Sequence, residues 1–564
     1  MKVSQMPYRR FEEEDYRRAA EEIIAGVRAA KSADEVVSCR DRYNALSDEF
    51  STMYCLSEIR FTLDTRDEFY QAEKDYYDQV LPKLSVIDRE YAAAMLESPF
   101  RKELEEKLSP VLFASFENTL KASDPRIVED MQEENALVTE YSKLMSQLTF
   151  SYGGKELPLS VLKKYMADKT RAVRRDAYEA LGKGLEQAAG ALDELFDKLV
   201  RVRTRMARKL GYENFIPLGY YRMNRLCYDR DSVAAFRKNV LEEIVPAVSE
   251  IKKRLAKKMK IKKFMLYDND VNVVGGNPEP VLDKDGIFEA AQQMYADLNP
   301  ETETFFRMML DGDAFDVESR EGKWGGGYCT YLPKYRQPFI LANFNGTSGD
   351  IDVMTHEVGH ALADYMLKDS KLPELGVGGM ETAETHSMSM EFFAWKYMDK
   401  FFGEKANQYR YMHLVDSFSF IPYGTIVDAY QHIVYEKPEL TPAERKAEWN
   451  RLEAEYRPWL STEGMTYLEQ GTRWQYQMHI YESPFYYIDY CLAQTVALQF
   501  LIASQKDYDE AFGRYLAHVR RGGSMVFTDL VREAGLRSPF EPGALGEMAK
   551  GVELLAKLLD ESAK

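Results

Sequence analysis

Apolar residues recur at intervals of three and four over most of the first 200 positions of the sequence. The segments YRRAAEEIIAGVRAAK and REYAAAMLESPFRKELEEKL show this spacing clearly. Because residues three and four apart lie on one face of an α-helix, the pattern predicts amphipathic helices that pack through their apolar faces. It is interrupted at LTFSYGGKELPLS, where Gly153 and Gly154 predict a short β-hairpin.

The pattern changes between about residues 264 and 350. The segments FMLYDNDVNVVGG and GGGYCTYLPKYRQPFILANFNGTSGD combine glycine, proline, aromatic and β-branched residues, which predict a few strands joined by turns. Helical spacing returns at IDVMTHEVGHALADYML and continues to the end of the sequence. The chain is therefore predicted to be mostly α-helical, with one small β-sheet next to this last segment.

The chain has 564 residues, which is more than one ordinary domain. No proline- or serine-rich linker divides it, and no repeat of fixed length is visible. We expect an N-terminal helical lobe at residues 1–195 and a second region at 196–564 that carries the chemistry. The two are expected to share one continuous structure.

Composition excludes several classes of function. The net charge is −18, and a chain this acidic is unsuited to nucleic acid, which needs a basic face. No apolar run reaches the ~18 residues of a membrane helix, and the first residues, MKVSQMPYRRFEEEDY, contain no signal-peptide core. The five scattered cysteines form no Cys-x-x-Cys pair, so we expect a reducing, cytoplasmic location and no membrane partner.

Candidate chemistry is concentrated in the segment THEVGHALADYM, where His356 and His360 are four residues apart. On an α-helix this spacing places both imidazoles on one face, where they can bind the same metal ion. Glu357 is offset by one residue and can act on a water molecule beside that ion, as peptide hydrolysis requires. With only seven histidines in the chain, a chance match has a probability of roughly 0.01.

Catalytic zinc usually has three protein ligands and one open position, so a third ligand is expected downstream. The segment GGMETAETHSMSMEFFAWKYM follows a glycine-rich loop that lets a second helix turn back against the first. It offers four candidates, among which spacing alone does not choose: Glu381, Glu384, His386 and Glu391.

The pair of segments HEVGHA and ETAETHSMSMEFF resembles the M3 family of metallopeptidases, in particular the oligoendopeptidase F branch that includes the Pz-peptidases. The family pattern is a His-Glu-Phe-Gly-His helix, followed some two dozen residues later by a glutamate in an E-x-x-S element. Glu384 and Ser387 match that element, whereas Val358 replaces the usual phenylalanine. The resemblance implies one Zn²⁺ per chain, held by His356, His360 and Glu384.

The same resemblance implies a large, two-lobed helical fold that encloses a deep channel and admits short unstructured peptides. In this family a histidine and one or more tyrosines lie opposite the zinc, where they stabilise the oxyanion. The segment HIYESPFYYIDYCLAQ matches that description, and the resemblance implies catalytic roles for His479, Tyr486 and Tyr490. Tyr486 and Tyr490 fall on one face of a helix, whereas Tyr487 lies to the side.

Substrate contacts are expected at two places. The segment Gly325–Cys329 and the following PFILANFNG resemble edge strands, to which an extended peptide can add by main-chain hydrogen bonds. We therefore expect Gly326, Gly327 and Tyr328 to contact the substrate. Tyr481 is added from the tyrosine-rich segment.

Asp352 lies one turn before His356 and is expected to hold that imidazole through its second nitrogen. An aspartate stabilised by the dipole in the first turn of a helix explains its position equally well. The remaining histidines have no ligand spacing, and no functional role is expected for them: His413, His432 and His518.

The preferred interpretation is a zinc-dependent endopeptidase that cleaves short unstructured peptides. A carboxypeptidase or peptidyl-dipeptidase would share the metal centre but needs a cationic group for the substrate's terminal carboxylate, which the sequence does not place. A non-catalytic binding protein with a structural metal would have four ligands, with His386 as the obvious fourth. Cleavage preference and oligomeric state stay open.

Overall fold

The computed structural model describes residues 1–562 and is 72% helical, which confirms the mostly α fold. In the first helix, the buried residues Tyr16, Ala20, Ile23 and Val27 follow the predicted spacing of three and four. The first six helices are α1 (Glu13–Ala29), α2 (Ala33–Leu63), α3 (Glu68–Leu96), α4 (Arg101–Lys107), α5 (Pro110–Ala122) and α6 (Val128–Gln147).

The predicted hairpin is present between α6 and the next helices. Strands β1 (Phe150–Tyr152) and β2 (Lys155–Leu157) pair antiparallel, and the turn residues Gly153 and Gly154 have φ of 60° and 77°. A two-residue turn of this kind needs positive φ at both positions, which glycine adopts without strain. The following helices are α7 (Leu159–Met166), α8 (Arg171–Gln187), α9 (Ala189–Lys209), α10 (Phe215–Arg222), α11 (Arg230–Asn239) and α12 (Val245–Lys258).

Helix α9 passes through the expected division at residues 195 and 196. The N-terminal helices also contact the later part of the chain directly. Arg40 of α2 pairs with Glu374, and the hydroxyl groups of Thr62 and Tyr328 are 2.6 Å apart. A single buried apolar cluster includes residues from both ends of the chain, so the division into lobes stays a proposal about folding units.

A three-stranded sheet follows α13 (Lys284–Leu298) and α14 (Pro300–Asp311). Its spatial order is β3-β5-β4, with β5 parallel to β3 and antiparallel to β4. The expectation that both glycine-flanked segments form edge strands is therefore half wrong, because β5 is central and only β4 is an edge on that side. The strands are β3 (Phe315–Glu318), β4 (Tyr328–Leu332) and β5 (Gln337–Phe344).

The predicted strand within 264–276 is absent, and this segment forms a loop with one 3₁₀ turn at Leu266–Asp268. The loop is held by its acidic side chains rather than by a ladder. Asp268 is fully buried and accepts hydrogen bonds from Arg171 and Arg174 on α8. These charge-assisted bonds outweigh the modest strand propensity of the valines nearby.

The C-terminal helices enclose α16, in which every residue from Glu381 to Phe393 is buried. It lies against α15 on one side and α21 on the other. Within residues 1–562, no helix has both the length and the apolar character needed to cross a bilayer. These helices are α15 (Gly349–Leu367), α16 (Met380–Phe393), α17 (Asp399–Phe402), α18 (Ala406–Glu436), α19 (Pro442–Tyr456), α20 (Met478–Glu482), α21 (Tyr487–Ser504), α22 (Tyr508–Arg521), α23 (Phe527–Glu533) and α24 (Ala544–Ser562).

Candidate active site

The two histidines of the HEVGH motif lie on α15, which runs directly after the central strand β5. Their spacing of four residues places both imidazoles on one face, with the ring centroids of His356 and His360 5.0 Å apart. Glu384 reaches them from α16, its Oε2 lying 3.3 Å from His356 Nε2 and 3.5 Å from His360 Nε2. In the described part of the chain, these three residues form the one group of converging ligand atoms that could hold a metal ion.

Helices α15 and α16 approach each other closely because a glycine lies at their contact. A Cβ atom at Gly359 would be 2.7 Å from the Cα of Ser387, which is closer than carbon atoms approach in proteins. Ser387 donates its hydroxyl to the main-chain oxygen of Glu384 at 3.1 Å. The glycine of the motif thus sets the distance at which Glu384 meets the two imidazoles. Val358, beside it, is buried, which fits a packing role.

The donor atoms fit a zinc ion in type and in spacing. Two imidazole nitrogens and one carboxylate oxygen are a ligand set of catalytic zinc sites, with bond lengths of about 2.0–2.2 Å. A tetrahedral shell of that size places neighbouring ligand atoms roughly 3.3–3.6 Å apart. The distances from Glu384 Oε2 to the imidazole nitrogens of His356 and His360 are 3.3 and 3.5 Å.

Electrostatics at the three residues favour positive charge between them. Burial alone would raise the pKa of Glu384, but the charge of His360 and hydrogen bonds from both imidazoles hold it well below its ordinary range. Burial lowers the pKa of His356, and the carboxylates Glu384 and Glu391 reverse this and raise it well above its usual value. Carboxylates that stabilise positive charge beside the imidazoles are what a divalent cation site requires.

The imidazole of His356 is held by Glu391, one of the residues considered as a ligand. Glu391 Oε1 lies 2.6 Å from His356 Nδ1, and its Oε2 lies 2.7 Å from His413 Nε2. His413 Nδ1 accepts a hydrogen bond from the indole of Trp395 at 2.9 Å, so its Nε2 carries a proton for Glu391. The carboxylate is ionised, because the two histidines lower its pKa to about 2 against the effect of burial. His356 thereby donates through Nδ1 and presents Nε2 to the metal position.

The role expected for Asp352 therefore belongs to a different residue. Asp352 accepts a hydrogen bond from Tyr409 at 2.6 Å and makes no hydrogen bond to His356. Its carboxyl group is buried, which raises its pKa to about 6. His413, for which no role was expected, lies outside the group of converging ligands but binds the carboxylate of Glu391. Glu391 is seven residues after Glu384, and this two-turn spacing on one helix face is the sequence signal for it.

Glu357 follows His356 on α15 and lies beside the metal position. Burial raises the pKa of its carboxyl group, while the two histidines act in the opposite direction. It is also close enough to Glu384 and Glu391 for their charges to raise its pKa further. A carboxylate with a raised pKa is a better proton acceptor, which is the property of a general base.

Three residues of the tyrosine-rich segment are brought to the same site. Tyr486 donates its hydroxyl to Glu384 Oε1, and its ring lies 4.8 Å from that of Tyr490. The hydroxyl of Tyr490 is 3.5 Å from His479 Nε2. Tyr487 packs against Tyr423 and is buried, so it lies to the side as expected. Two phenols and one imidazole therefore converge beside Glu384.

Gln477 was not singled out in the sequence, yet it determines the state of His479. Its Nε2 donates to His479 Nδ1 at 2.9 Å, and its Oε1 accepts from Tyr423 at 2.7 Å. Burial lowers the pKa of His479 to about 4, so the ring is neutral at pH 7. With Nδ1 acting as the acceptor, the single proton is on Nε2, which becomes a hydrogen-bond donor.

Two residues do not fit their expected roles. Tyr481 is fully buried, stacks on Tyr141 with ring centroids 3.9 Å apart, and donates its hydroxyl to the main chain of Leu192. It has no surface left for a substrate, so its expected substrate contact is wrong. His386 is also outside the group of converging ligand atoms and instead has its ring centroid 5.4 Å from that of His518.

In the edge strand β4, every second residue turns its main-chain groups away from β5. Ile340 of β5 donates its N–H to Ala314, toward β3 and away from β4. The β4 residue paired with Ile340 therefore turns its own N–H and C=O groups outward, and so does every second residue along β4. In β4 these outward residues are Cys329 and Tyr331. Tyr328 alternates with them, pairs with Leu341 and uses its hydroxyl to contact α2.

The glycines before β4 keep the chain close to its neighbours. A Cβ at Gly327 would lie 3.3 Å from the main-chain oxygen of Leu341, and one at Gly326 would overlap the indole of Trp324. Main-chain oxygens of Gly326 and Trp324 also accept hydrogen bonds from the amide of Asn343. The segment is therefore fixed against β5, and its contact with substrate stays a proposal.

Comparison with known proteins shows similarity along the whole chain. The sequence pattern of peptidase family M3 matches residues 302–550, and that of the peptidase M3 N-terminal domain matches residues 3–123. The structure of Pz peptidase A with an inhibitor is 42% identical, with all of both chains covered and a TM-score of 0.97. A Bacillus anthracis protein described as an oligoendopeptidase F is 39% identical, with 100% of this chain and 99% of that chain covered and a TM-score of 0.92.

A more distant relative has a similar extent. Oligopeptidase PepF of Bacillus subtilis is 21% identical over 545 residues, which cover 90% of this chain and 78% of the relative. The matches include both the N-terminal helices and the region that carries the HEVGH motif. Since two full-length relatives exceed 30% identity and the motif has the expected geometry, the chain belongs to peptidase family M3, a family of metallopeptidases.

Proposed function

We propose that this protein is a zinc-dependent endopeptidase that hydrolyses internal bonds of short, unstructured peptides. The observation that carries the proposal is the convergence of His356 Nε2, His360 Nε2 and Glu384 Oε2 next to the hydroxyls of Tyr486 and Tyr490. The oligopeptidase and oligoendopeptidase names of its relatives support the substrate class. Five free cysteines support a reducing compartment such as the cytoplasm.

Each residue of the site then has a defined task. A bound zinc ion would polarise the scissile carbonyl group and lower the pKa of the attacking water. Glu357 takes the proton of that water and delivers it to the leaving amine, which its raised pKa favours. Tyr486, Tyr490 and the Nε2–H of His479 donate hydrogen bonds to the oxyanion of the substrate.

The substrate is held in an extended conformation beside the metal. Cys329 and Tyr331 turn main-chain groups outward from the edge strand β4, and a peptide can pair with these groups as an added strand. Such pairing recognises the main chain of an unfolded peptide whatever its side chains, which suits an enzyme that cleaves peptides of varied sequence. Gly326, Gly327 and Tyr328 precede or begin this strand and form the proposed substrate-contacting segment.

The test is cleavage of peptides of about 5–20 residues with both ends blocked, followed by mass spectrometry. We expect internal cleavage that a chelator abolishes and Zn²⁺ restores. The matched control is Glu357→Gln, which keeps the metal ligands but lacks the base. If only peptides with a free C-terminus are cleaved, the carboxypeptidase or peptidyl-dipeptidase alternative is favoured. Bound zinc without cleavage of any peptide would favour a non-catalytic metal protein.

A further inference from the structure

A cavity of about 470 Å³ adjoins the metal centre. Glu391, His479 and Tyr490, which lie at or beside that centre, all line its wall. Two arginines that the mechanism does not use line the same cavity, the buried Arg457 and the half-buried Arg473. A ligand in this cavity would therefore lie next to the residues that act on the scissile bond.

The two guanidinium groups are stacked on one tyrosine and share one acid. Their Cζ atoms lie 5.4 Å and 4.2 Å from the ring centroid of Tyr423, for Arg457 and Arg473 respectively. Each approaches Glu453, with nitrogen–oxygen distances of 3.4 to 3.5 Å. Asp270 also stabilises the charge of Arg457, yet burial and the charge of Arg473 still lower the pKa of Arg457.

Some hydrogen-bond donors of these two arginines also remain available. Within residues 1–562, the buried Nη2 of Arg457 has no hydrogen-bond partner. The side chain of Arg473 is 14% exposed and donates from Nε to Tyr476 and from Nη1 to Glu453. Arginine presents its donors as a planar fork that matches a carboxylate, and a buried unpaired donor is costly.

The acidic side chains that line the cavity already have donors. Glu391 binds two histidines, and Asp352 accepts from Tyr409. Asp270 and Asp416 accept hydrogen bonds from Tyr178 and Asn272 respectively. These carboxylates offer a negatively charged ligand no hydrogen-bond donor, whereas the two arginines do.

We propose that Arg473, with the charge of Arg457 behind it, binds a carboxylate of the peptide substrate. The inference rests on the proposed peptidase function and adds a specificity element to it. A chain of contacts connects this subsite to the oxyanion donors, since Tyr423 donates to Gln477, which donates to His479. A carboxylate on Arg473 therefore fixes the register of the peptide relative to His479.

Two sources can supply the carboxylate, and paired peptides distinguish them. In one arm, a peptide with a free C-terminus is compared with its amide. In the other, glutamate is compared with glutamine at each position downstream of the cleaved bond, with the C-terminus amidated. The zinc-loaded wild-type enzyme should cleave the charged member of one pair with a kcat/KM at least about tenfold higher.

The variant Arg473→Gln should reduce that ratio to within about twofold. The matched control is Arg451→Gln, which removes an exposed arginine of α19 that pairs with Glu448 and Glu455. It should leave the ratio unchanged. Zinc content and circular dichroism report whether each variant is folded. If Arg473→Gln does not fold, Arg473→Lys decides, because a lysine keeps the charge but loses the fork and should give an intermediate ratio.

A wild-type ratio within twofold in both arms would overturn the proposal and leave the peptidase function intact. So would a ratio that survives Arg473→Gln in a folded, zinc-containing protein. If the zinc-loaded wild-type enzyme cleaves no peptide in either arm, the proposed function fails, and the subsite proposal fails with it.

Discussion

Two walls face each other across the candidate active site, and they are built differently. The ligand wall consists of α15 and α16, two regular helices in close contact at Gly359. The donor wall consists of residues 473–490, where one 3₁₀ turn, the five-residue helix α20 and a short loop lead into the first turn of α21. In the donor wall Phe485 has φ of 68°, a left-handed conformation that side chains rarely adopt.

Side-chain hydrogen bonds hold the donor wall where helix packing holds the ligand wall. The N–H of Phe485 donates to Gln431 Oε1 at 2.7 Å, and its carbonyl oxygen accepts from Arg225. The proposed metal ligands are thus positioned by two packed helices. The segment that carries the proposed oxyanion donors depends on side-chain hydrogen bonds at Phe485, directly before Tyr486 and α21. Changes in the ligand wall should act on metal retention, and changes in the donor wall should act on the rate with the metal retained.

The largest expected effects come from two glutamates of the ligand wall. Glu384→Ala removes a ligand and should lose both zinc and activity. Glu357→Gln keeps all three ligands, so it should retain about one zinc per chain and lose nearly all turnover, because an amide cannot accept a proton. Elemental analysis and single-turnover kinetics check both variants. Zinc lost from Glu357→Gln but kept in Glu384→Ala would reverse the assignment of ligand and base.

In the donor wall, Tyr486→Phe or Tyr490→Phe should reduce kcat by roughly 10²–10³. Zinc content and KM should change little, because a donor used only in the transition state affects kcat. Tyr487→Phe is the matched control, since the ring of Tyr487 packs against Tyr423 and His479, whereas the hydroxyl that binds Glu384 is that of Tyr486. Steady-state kinetics measures all three variants. If neither Tyr486→Phe nor Tyr490→Phe loses tenfold, the oxyanion donor is elsewhere, with His479 next to test.

The same contrast explains what the sequence could predict. His356 and His360 are readable because the period of a helix is fixed, and four residues always mean one face. Glu384 needed the family resemblance, since its position depends on the length of the loop between α15 and α16. The predicted partner of His356 was wrong. Spacing along the helix favoured Asp352, whereas the carboxylate of Asp352 is bound by Tyr409 of α18. Tertiary packing determines that Glu391, and not Asp352, binds the imidazole of His356.

The other errors have the same origin. The segment 264–276 has strand-forming residues, but long-range bonds from α8 to Asp268 keep it a loop. Tyr481 is one of several tyrosines close together in sequence, and only its burial against Tyr141 separates it from Tyr486. Composition and spacing identify which residues are present, whereas the irregular donor wall orients them by contacts that the sequence does not reveal.

A smaller effect is expected where the ligand wall is supported from behind. Glu391→Gln should weaken zinc binding by about 10–100-fold, because an amide holds the imidazole of His356 less firmly than an ionised carboxylate. Competition with a chelator of known affinity measures this change. The control is Asp352→Asn. Asp352 makes no hydrogen bond to His356, so this variant should lower zinc affinity less. A larger loss in Asp352→Asn than in Glu391→Gln would contradict the assignment of Glu391.

The smallest effect tests how the donor wall sets a single proton. Gln477 donates to His479 Nδ1, which leaves the proton of the neutral imidazole on Nε2, the atom 3.5 Å from the hydroxyl of Tyr490. Gln477→Leu removes this preference, so both tautomers become populated and kcat should fall by up to about tenfold. Gln477→Glu should be worse, because a carboxylate accepts from Nδ1–H and turns Nε2 into an acceptor. KM and zinc content should be unchanged in both variants, and the nitrogen chemical shifts of His479 report the tautomer directly. A purely structural role predicts the reverse order, with the shape-conserving Gln477→Glu milder than Gln477→Leu.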